Sequence, residues 1–352
     1  MQWDLPCGVF FDNYADDIAL CRTKAQKFLL ISFFAFLFVL PLLISDRWLS
    51  RLVLIGINIV SLHGLNLLTG MCGQISLGHA GFMAVGGYAS AILCNMGLPF
   101  WIVFPAAGLV SGLFGLAFGL PSLRVKGFYL AMATLAAQFL VTWLILQAYK
   151  ITGGADGLSV PRPIIGRMTL MSNKSYYYLV ATVTCLVTFF AYNLARTKTG
   201  RAFVAVRDND LAAEVMGICL WKTKLVAFFV GCIFAGWGGA LLVHYYRFAS
   251  PEQFTLMDSI MYLGMLIVGG MGSTLGPIFG AAFFKLVEEC NMIIVSILAK
   301  WFPAAAPQLP ASIGLIGYAL IVGLFLVFEP RGLAHRWTIV KNYYRLWPFS
   351  YW

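Results

Sequence analysis

The residues whose types and spacing are best suited to chemistry lie in one polar stretch, 196–224, which separates two apolar regions. Its middle, 208–216, is predicted to form a short helix, because Asp208 or Asn209 is a favourable N-cap and Gly217 is a natural stop. A short helix with basic ends suits docking to another protein. The alternative is a solvated loop that its charge holds on the cytoplasmic side of a membrane. The stretch holds six of the chain's 24 lysines and arginines: Arg196, Lys198, Arg201, Arg207, Lys222 and Lys224.

The composition predicts a polytopic, all-α membrane protein. The chain is 61% hydrophobic and 11% charged, with a mean hydropathy of +0.84, whereas soluble domains are about a quarter charged. The net charge of +10 fits basic cytoplasmic loops and contact with anionic membrane lipid, so nucleic-acid binding is not predicted. The eight cysteines form no CxxC pair, and there is no GxxxxGK phosphate loop followed by Ser or Thr. We therefore expect no metal site, no disulfide framework and no ATP hydrolysis in this chain.

The apolar stretches predict about ten transmembrane helices. They divide the chain into an N-terminal segment, 1–27, a transmembrane domain, 28–328, and a tail, 329–352. An even number of spans places both termini on one side, which then carries fifteen of the 24 lysines and arginines against eight on the other. The positive-inside rule makes that side cytoplasmic. The predicted spans are 28–45, 48–69, 70–96, 100–120, 128–148, 176–195, 225–245, 259–284, 285–300 and 311–328.

Two glycine-rich segments are expected to break the regular helices. The first, 70–87, holds six glycines and is either a re-entrant element or the broken start of a third span. The second, 264–280, also holds six and includes Pro277, which is expected to interrupt or end a helix. The second segment resembles 76–87 in the order of its residues. Each has a small residue, then a Leu-Gly pair, and then an aromatic residue with more glycine. This order indicates a two-part internal repeat, a common feature of transporters.

Polar side chains inside apolar segments are candidates for a translocation path, because a polar group at that depth is expected to avoid lipid. The alternatives are hydrogen bonds between helices for the asparagines and tight packing for the glycine-rich segment. Lys285, Glu288 and Glu289 stand at i, i+3 and i+4, which allows either an ion or proton site or an interfacial ion pair. The path candidates are Asn58, Asn66, Ser76 and His79.

Three stretches carry a resemblance to a known family. Residues 211–217, LAAEVMG, resemble the EAA loop of ABC importer permeases, although Leu211 stands where that loop usually has Glu. GMCGQISLGHAGFMAVGGYA at 70–89 and GGMGSTLGPIFGAA at 269–282 resemble the LivM-type permeases of branched-chain amino acid transporters. The resemblance runs from about residue 62 to residue 332.

The resemblance implies a permease subunit in the bacterial inner membrane. Its implied partners are a second, LivH-like permease, two ABC ATPase subunits and a periplasmic substrate-binding protein. No cofactor is expected in this chain, since ATP acts on the partner ATPase. The short helix is then a cytoplasmic coupling helix, whose two alanines allow close docking and whose glycine allows the turn out. The implied coupling residues are Arg207, Asp208, Ala212, Ala213, Glu214 and Gly217.

Three other functions remain open at this point. The first is a permease of the same type for urea or another small solute. The second is an ion-coupled secondary transporter, which needs no partner subunits. The third is a passive channel, because glycine-rich broken segments also suit a pore.

Overall fold

The computed structural model describes residues 24–122, 127–165, 168–169, 172–301 and 309–346. The chain is built from α-helices, as expected where long apolar runs must satisfy their own backbone hydrogen bonds in lipid. The first half holds α1 Lys24–Leu43, α2 Asp46–Leu65, α3 His79–Asn95, α4 Phe100–Ser122, α5 Phe128–Gln147, α6 Tyr149–Thr152 and α7 Asn173–Arg196. The second holds α8 Lys198–Asp208, α9 Asp210–Val215, α10 Leu220–Tyr246, α11 Leu256–Gly269, α12 Gly276–Trp301, α13 Leu309–Phe328 and α14 Gly332–Leu346.

Five helices of the described chain are long and apolar enough to cross a membrane: Asp46–Met71, Phe100–Leu120, Phe128–Gln147, Asn173–Arg196 and Leu220–Tyr246. A sixth follows if Ile313–Phe328 and Gly332–Tyr343, which meet at a 47° bend, form one span. Other predicted spans correspond to shorter or more charged helices. Helix α3 has 17 residues and α11 has 14, while α12 carries three charged side chains near its middle. The count of about ten spans stays a prediction.

Helix α10 lies at the centre and packs against α2, α3 and α4. Small residues make this possible, because each glycine lets a neighbouring backbone approach closely. A Cβ atom added at Gly239 would overlap the carbonyl oxygen of Met83, and one at Gly86 would overlap the backbone of Gly236. The glycine row of α4 serves the same contact, since a Cβ at Gly112 would lie 2.8 Å from the Cγ1 of Ile233.

The first glycine-rich segment begins at the end of α2. Helix α2 continues as a π-helical turn, Asn66–Met71, and residues 72–78 then have no regular secondary structure before α3 starts at His79. Gly73 has φ +71°, a conformation that other residues rarely adopt. The segment is therefore a broken entry into α3.

The second glycine-rich segment breaks earlier than predicted. Helix α11 ends at Gly269, residues 270–275 form the break, and α12 then runs as one helix of 26 residues. The predicted boundary between spans 259–284 and 285–300 is therefore wrong. The prediction for Pro277 is also wrong, because Pro277 is the second residue of α12. There the missing N–H costs nothing and the fixed φ favours the helix.

Both breaks share one local order. In each, a helix ends, a glycine adopts positive φ, a Leu-Gly pair follows, and a new helix begins. The positive-φ glycines are Gly73 in the first break and Gly270 and Gly272 in the second. This common order supports the internal repeat that the sequence indicates.

Short strands connect loops at one end of the bundle. Strand β1, Leu158–Ser159, pairs antiparallel with β4, Phe248–Ala249, so the loop after α5 is tied to the connector after α10. Strands β2, Ile164–Ile165, and β3, Met168–Thr169, form a hairpin within the same loop.

Candidate functional site

The polar stretch folds as two helices with a sharp corner between them. Asn209 is the N-cap of α9, and its side-chain oxygen accepts a hydrogen bond from the N–H of Ala212 at 3.1 Å. Asp208 instead ends α8, so the predicted helix 208–216 is shorter than expected. Gly217 has φ +84° and takes the chain out of the helix, as predicted.

The solvent side of α9 carries exposed apolar side chains beside the exposed carboxylate of Glu214. Leu211, Val215 and Met216 are 70%, 87% and 81% exposed. An exposed apolar cluster on a polar surface marks a contact with another protein. We call these three residues the α9 face. The two predicted docking alanines differ, since Ala212 is exposed whereas Ala213 is buried in the hydrophobic core. Ala213 therefore supports α9 from inside.

Helix α9 is fastened to the central helix by an ion pair. The Nζ of Lys224, in the first turns of α10, lies 2.9 Å from the Oδ2 of Asp210. Both side chains are largely shielded from solvent, at 12% and 19% exposure. A shielded pair constrains geometry more than an exposed one, so this contact links α9 to the start of α10.

Arg207 extends from α8 to the first glycine-rich break. Its Nη1 donates to the carbonyl oxygen of Gly70 at 2.9 Å, and its Nη2 pairs with the Oδ1 of Asp208 at 2.9 Å. A Cβ added at Gly73 would lie 2.9 Å from the Cγ of Arg207, and one at Gly272 would lie 2.9 Å from its Nη1. The Arg207 side chain is therefore in close contact with both breaks.

Asn66 joins the two breaks directly. Its Nδ2 donates to the carbonyl oxygen of Ser273 at 2.8 Å, and its Oδ1 accepts from the N–H of Gly272 at 2.8 Å. Two backbone groups that the break leaves without helical partners are thereby satisfied. We call the contact among Asn66, Gly70, Arg207, Gly272 and Ser273 the break junction. For Asn66, the structure supports the alternative of hydrogen bonding between helices.

Ser76 and His79 are fully buried at the first break. The Nε2 of His79 lies 3.0 Å from the carbonyl oxygen of Ser61, so Nε2 carries the donated proton. Among the described residues, no carboxylate is hydrogen-bonded to His79, and the Ser76 hydroxyl has no hydrogen-bond partner. Neither residue lines the cavity of about 600 Å³ that Asn58 borders. Their role in a path stays a prediction.

Asn58 lines a cavity of about 600 Å³, which we call the Tyr262 cavity. The hydroxyl of Tyr262 donates to the Oδ1 of Asn58 at 3.1 Å. The cavity is formed by α2, the end of α10, α11, α12 and α13. Asn58 and Asn66 both contact the α11–α12 unit, so they share a face as the sequence predicts.

The charged triplet of α12 divides between two contacts. Lys285 pairs with Glu288 at 2.5 Å, and both line the Tyr262 cavity. Glu289 instead forms an ion pair with Arg51 of α2, whose guanidinium lies 4.5 Å from the Trp48 ring centroid. The three residues thus do not form one cluster.

Sequence reasoning missed most of the cavity lining, including the polar side chains of Gln253, Asp258 and Tyr262. Gln253 and Asp258 belong to a stretch that looks like an ordinary polar connector. The available signal was the carboxylate of Asp258 four residues before Tyr262, which places both on one face of the helix that follows.

Comparison with known proteins identifies the family of this chain. The family described as the permease component of branched-chain amino acid transport systems matches residues 47–328. The high-affinity branched-chain amino acid permease proteins LivM of Salmonella typhimurium and of Escherichia coli are each 33% identical over 292 residues, which cover 76% of this chain and 69% of the relative. A probable LivM protein of Methanocaldococcus jannaschii is 24% identical, over 64% of this chain and 66% of that protein. No solved structure matches the chain.

The matched region contains both breaks, the whole polar stretch and every residue of the Tyr262 cavity. The family match covers well over half of the chain, and the identity to the bacterial relatives extends over most of both proteins. The chain therefore belongs to the family of branched-chain amino acid permease components and is a LivM-type permease.

Proposed function

We propose that this chain is the membrane-spanning permease subunit of an ABC importer in the bacterial inner membrane. It translocates branched-chain amino acids or related small solutes with ATP that a separate subunit hydrolyses. Its partners are a LivH-like permease, two ABC ATPase subunits and a periplasmic substrate-binding protein. The chain itself is a transport subunit and needs no cofactor of its own.

One observation carries the coupling role. The α9 face is apolar and exposed, while the same helix is tied inward by the pair of Asp210 with Lys224 and by the buried Ala213. An apolar surface of this kind fits a cleft in a partner protein, and the inward contacts make its position matter to the membrane helices. Arg207 adds a second connection, to Gly70 in the break junction.

The proposed orientation places both termini and α9 in the cytoplasm, with ten crossings. The contacts support it. Residue Gly70 at the end of α2 meets Arg207, while Arg51 near the start of α2 meets Glu289, so α2 runs from the far side toward α8 and α9. The break between α11 and α12 lies at the same end as Gly70, because the N–H of Gly272 donates to Asn66, and the proposal counts α11 and α12 as one crossing each.

In the proposed mechanism, closure of the ATPase dimer displaces α9. The Asp210–Lys224 pair passes this displacement to α10, and Arg207 passes it to the break junction. Because the breaks lack a continuous helical hydrogen-bond ladder, they can change conformation at lower cost than an intact helix. The helices on either side then switch the path between outward and inward access.

The alternatives are weighed by the same observations. The family match favours branched-chain amino acids over urea or another solute. An ion-coupled transporter or a passive channel does not need a docking surface for an ATPase, so the exposed α9 face and the contact of Arg207 with the break junction favour the ABC permease. A permease for branched-chain amino acids is distinguished from one for urea or another small solute by measuring substrate-stimulated ATP hydrolysis with several solutes.

The test is recovery of the ATPase with the tagged chain, purified from its native membrane in mild detergent. Val215→Asp places a charge on the α9 face without disturbing packing, since this side chain is 87% exposed. Val340→Asp is the matched control, because Val340 is also exposed, at 57%, but belongs to α14. We expect the ATPase with wild type and with Val340→Asp, and its loss with Val215→Asp. Equal recovery with both variants would move the docking site elsewhere.

A further inference from the structure

We infer that the Tyr262 cavity is a transient binding site for a zwitterionic amino acid with an aliphatic side chain. This inference rests on the proposed function, which names the transported solute but no site for it in the permease. The cavity, of about 600 Å³, is within the usual range of roughly 300–1,000 Å³ for small-molecule sites.

Hydrogen-bond acceptors suited to an ammonium group line one part of the cavity. The side-chain oxygen Oε1 of Gln253 is buried and has no hydrogen-bond partner among the described residues. Asp258 accepts from the N–H and the hydroxyl of Thr255, at 2.8 and 2.6 Å, with Oδ2 in both contacts. Its Oδ1 therefore retains accepting capacity, because an ionised carboxylate can accept at both oxygens.

Lys285 supplies the opposite charge. Its Nζ pairs with Glu288 at 2.5 Å, and its side chain is 18% exposed, compared with 61% for Glu288. An ammonium has three donors, so the contact with Glu288 leaves two for a substrate carboxylate. The cavity thus offers both a cation and anions, which matches the two charged groups of a zwitterion.

Part of the remaining lining is apolar and flexible. Met261, Met265, Leu54, Leu242 and Phe284 line the cavity together with the polar groups. Methionine side chains adapt to irregular shapes, so they suit aliphatic chains that branch at different carbons. An acidic or basic side chain would instead lose hydration against this surface without a partner.

A purely structural role explains these residues less well. A charged group at membrane depth is expensive, and where it serves stability alone it is expected to be packed against its partner. Glu289 and Arg51 follow that expectation, because they form a direct pair between α12 and α2. Lys285 and Glu288 also pair directly, but this pair and Asp258 line an open volume, so their charges can contact a bound solute.

The direct test is equilibrium binding of radiolabelled leucine to the purified full chain in nanodiscs, without binding protein or ATP. We expect saturable binding that isoleucine and valine displace. Isoamylamine, which lacks the carboxylate, and 4-methylpentanoate, which lacks the ammonium, should each compete about tenfold more weakly. Glutamate should not compete. Leucine binding that does not saturate would overturn the inference.

Two matched variants locate the site. A Cβ at Gly314, which lines the cavity, would meet no described atom within 4 Å, and the same holds for Gly323 on the same helix but outside the cavity. Gly314→Phe should therefore fill the cavity without a clash and reduce leucine binding about tenfold or more. Gly323→Phe should bind like wild type. Equal binding by both variants would contradict the assignment.

The role of the Lys285 charge has its own test, in which one variant is compared with three ligands. A general loss of folding would weaken the binding of all three alike. Lys285→Gln should weaken the binding of leucine and of 4-methylpentanoate, which carry a carboxylate, and should not weaken the binding of isoamylamine. Weakening of all three to the same degree would show that Lys285 acts on the shape of the cavity and not on the carboxylate.

Failure of this inference is distinguishable from failure of the proposed function. If ATP-driven leucine uptake by the assembled complex is normal in Gly314→Phe, the chain is the proposed permease and the cavity is not on its path. If no ATPase associates with the chain, the proposed function fails, whatever the cavity binds.

Discussion

The break junction and the Tyr262 cavity lie along the same helices but are built in opposite ways. They are separated by about 18 Å along α2, from Asn58 to Gly70. At the junction, both polar atoms of the Asn66 side chain are used and glycine backbones meet directly. At the cavity, the same α2 and α11–α12 elements are held apart around an open volume.

Residue size explains the difference. Glycines at the junction allow backbones to touch, whereas Tyr262, Met265 and Phe284 keep the helices separate at the cavity. Helices that are fixed at one end and separated at the other respond to a small rotation at the fixed end with a larger displacement at the open end. In the proposed mechanism, the contact of Arg207 with the junction connects α8 and α9 to the cavity.

The largest effect is expected from filling the junction. A Cβ at Gly70 would overlap the Oδ1 of Asn66 and the backbone of Gly272. Gly70→Leu should therefore destabilise the chain by about 3 kcal/mol, as overpacking does elsewhere. Gly314→Leu adds the same side chain at the cavity and should change stability by less than about 0.5 kcal/mol. Thermal unfolding of the purified variants measures both, and equal destabilisation would contradict the contrast between the two regions.

A smaller difference is expected between the two asparagines. Asn66→Leu leaves the N–H of Gly272 and the carbonyl of Ser273 without their partner, which should cost about 1–3 kcal/mol. Asn58→Leu removes one bond, from a hydroxyl that lines the open cavity and can bind water instead. It should cost about 1 kcal/mol or less. Unfolding temperatures in one detergent compare the two. If Asn58→Leu lowered the unfolding temperature more than Asn66→Leu, the helices would be held together mainly at the cavity and not at the junction.

The smallest effect is expected at the start of α11. Thr255 and Asp258 form a capping box, in which the Thr255 Oγ1 accepts from the N–H of Asp258 and the Asp258 Oδ2 accepts from the N–H of Thr255. Thr255→Ala should cost about 1 kcal/mol. Thr338→Ala, which removes a hydroxyl bonded to Ala334 within α14, is the control and should be nearly neutral. A neutral Thr255→Ala would show that α11 is held by packing alone.

Much of the fold follows from local chemistry. The cap at Asn209 and the turn at Gly217 are confirmed, because each depends on residues close in sequence. The position of the second break was mispredicted, since a proline suits the first turn of a helix as well as an interruption. Spacing alone does not separate these two cases.

The site was harder to predict, for a different reason. Helix α9 has six residues, too few for a periodic pattern, so nothing in the sequence distinguished the exposed Ala212 from the buried Ala213. The cavity brings together Asn58, Gln253 and Lys285 from distant parts of the chain. Such a grouping depends on how the helices pack against one another, and the pattern of a single sequence does not specify this packing.

The most direct test of the coupling account is the reactivity of Gly314→Cys with a membrane-impermeant thiol reagent in the assembled complex. Labelling at position 314 is quantified by mass spectrometry, with and without ATP, and Gly323→Cys is the control. The account predicts that ATP changes the labelling rate at 314 but not at 323, and that adding Val215→Asp abolishes the change. A rate at 314 that is the same with and without ATP, in a complex that transports leucine, would contradict a connection between α9 and the cavity.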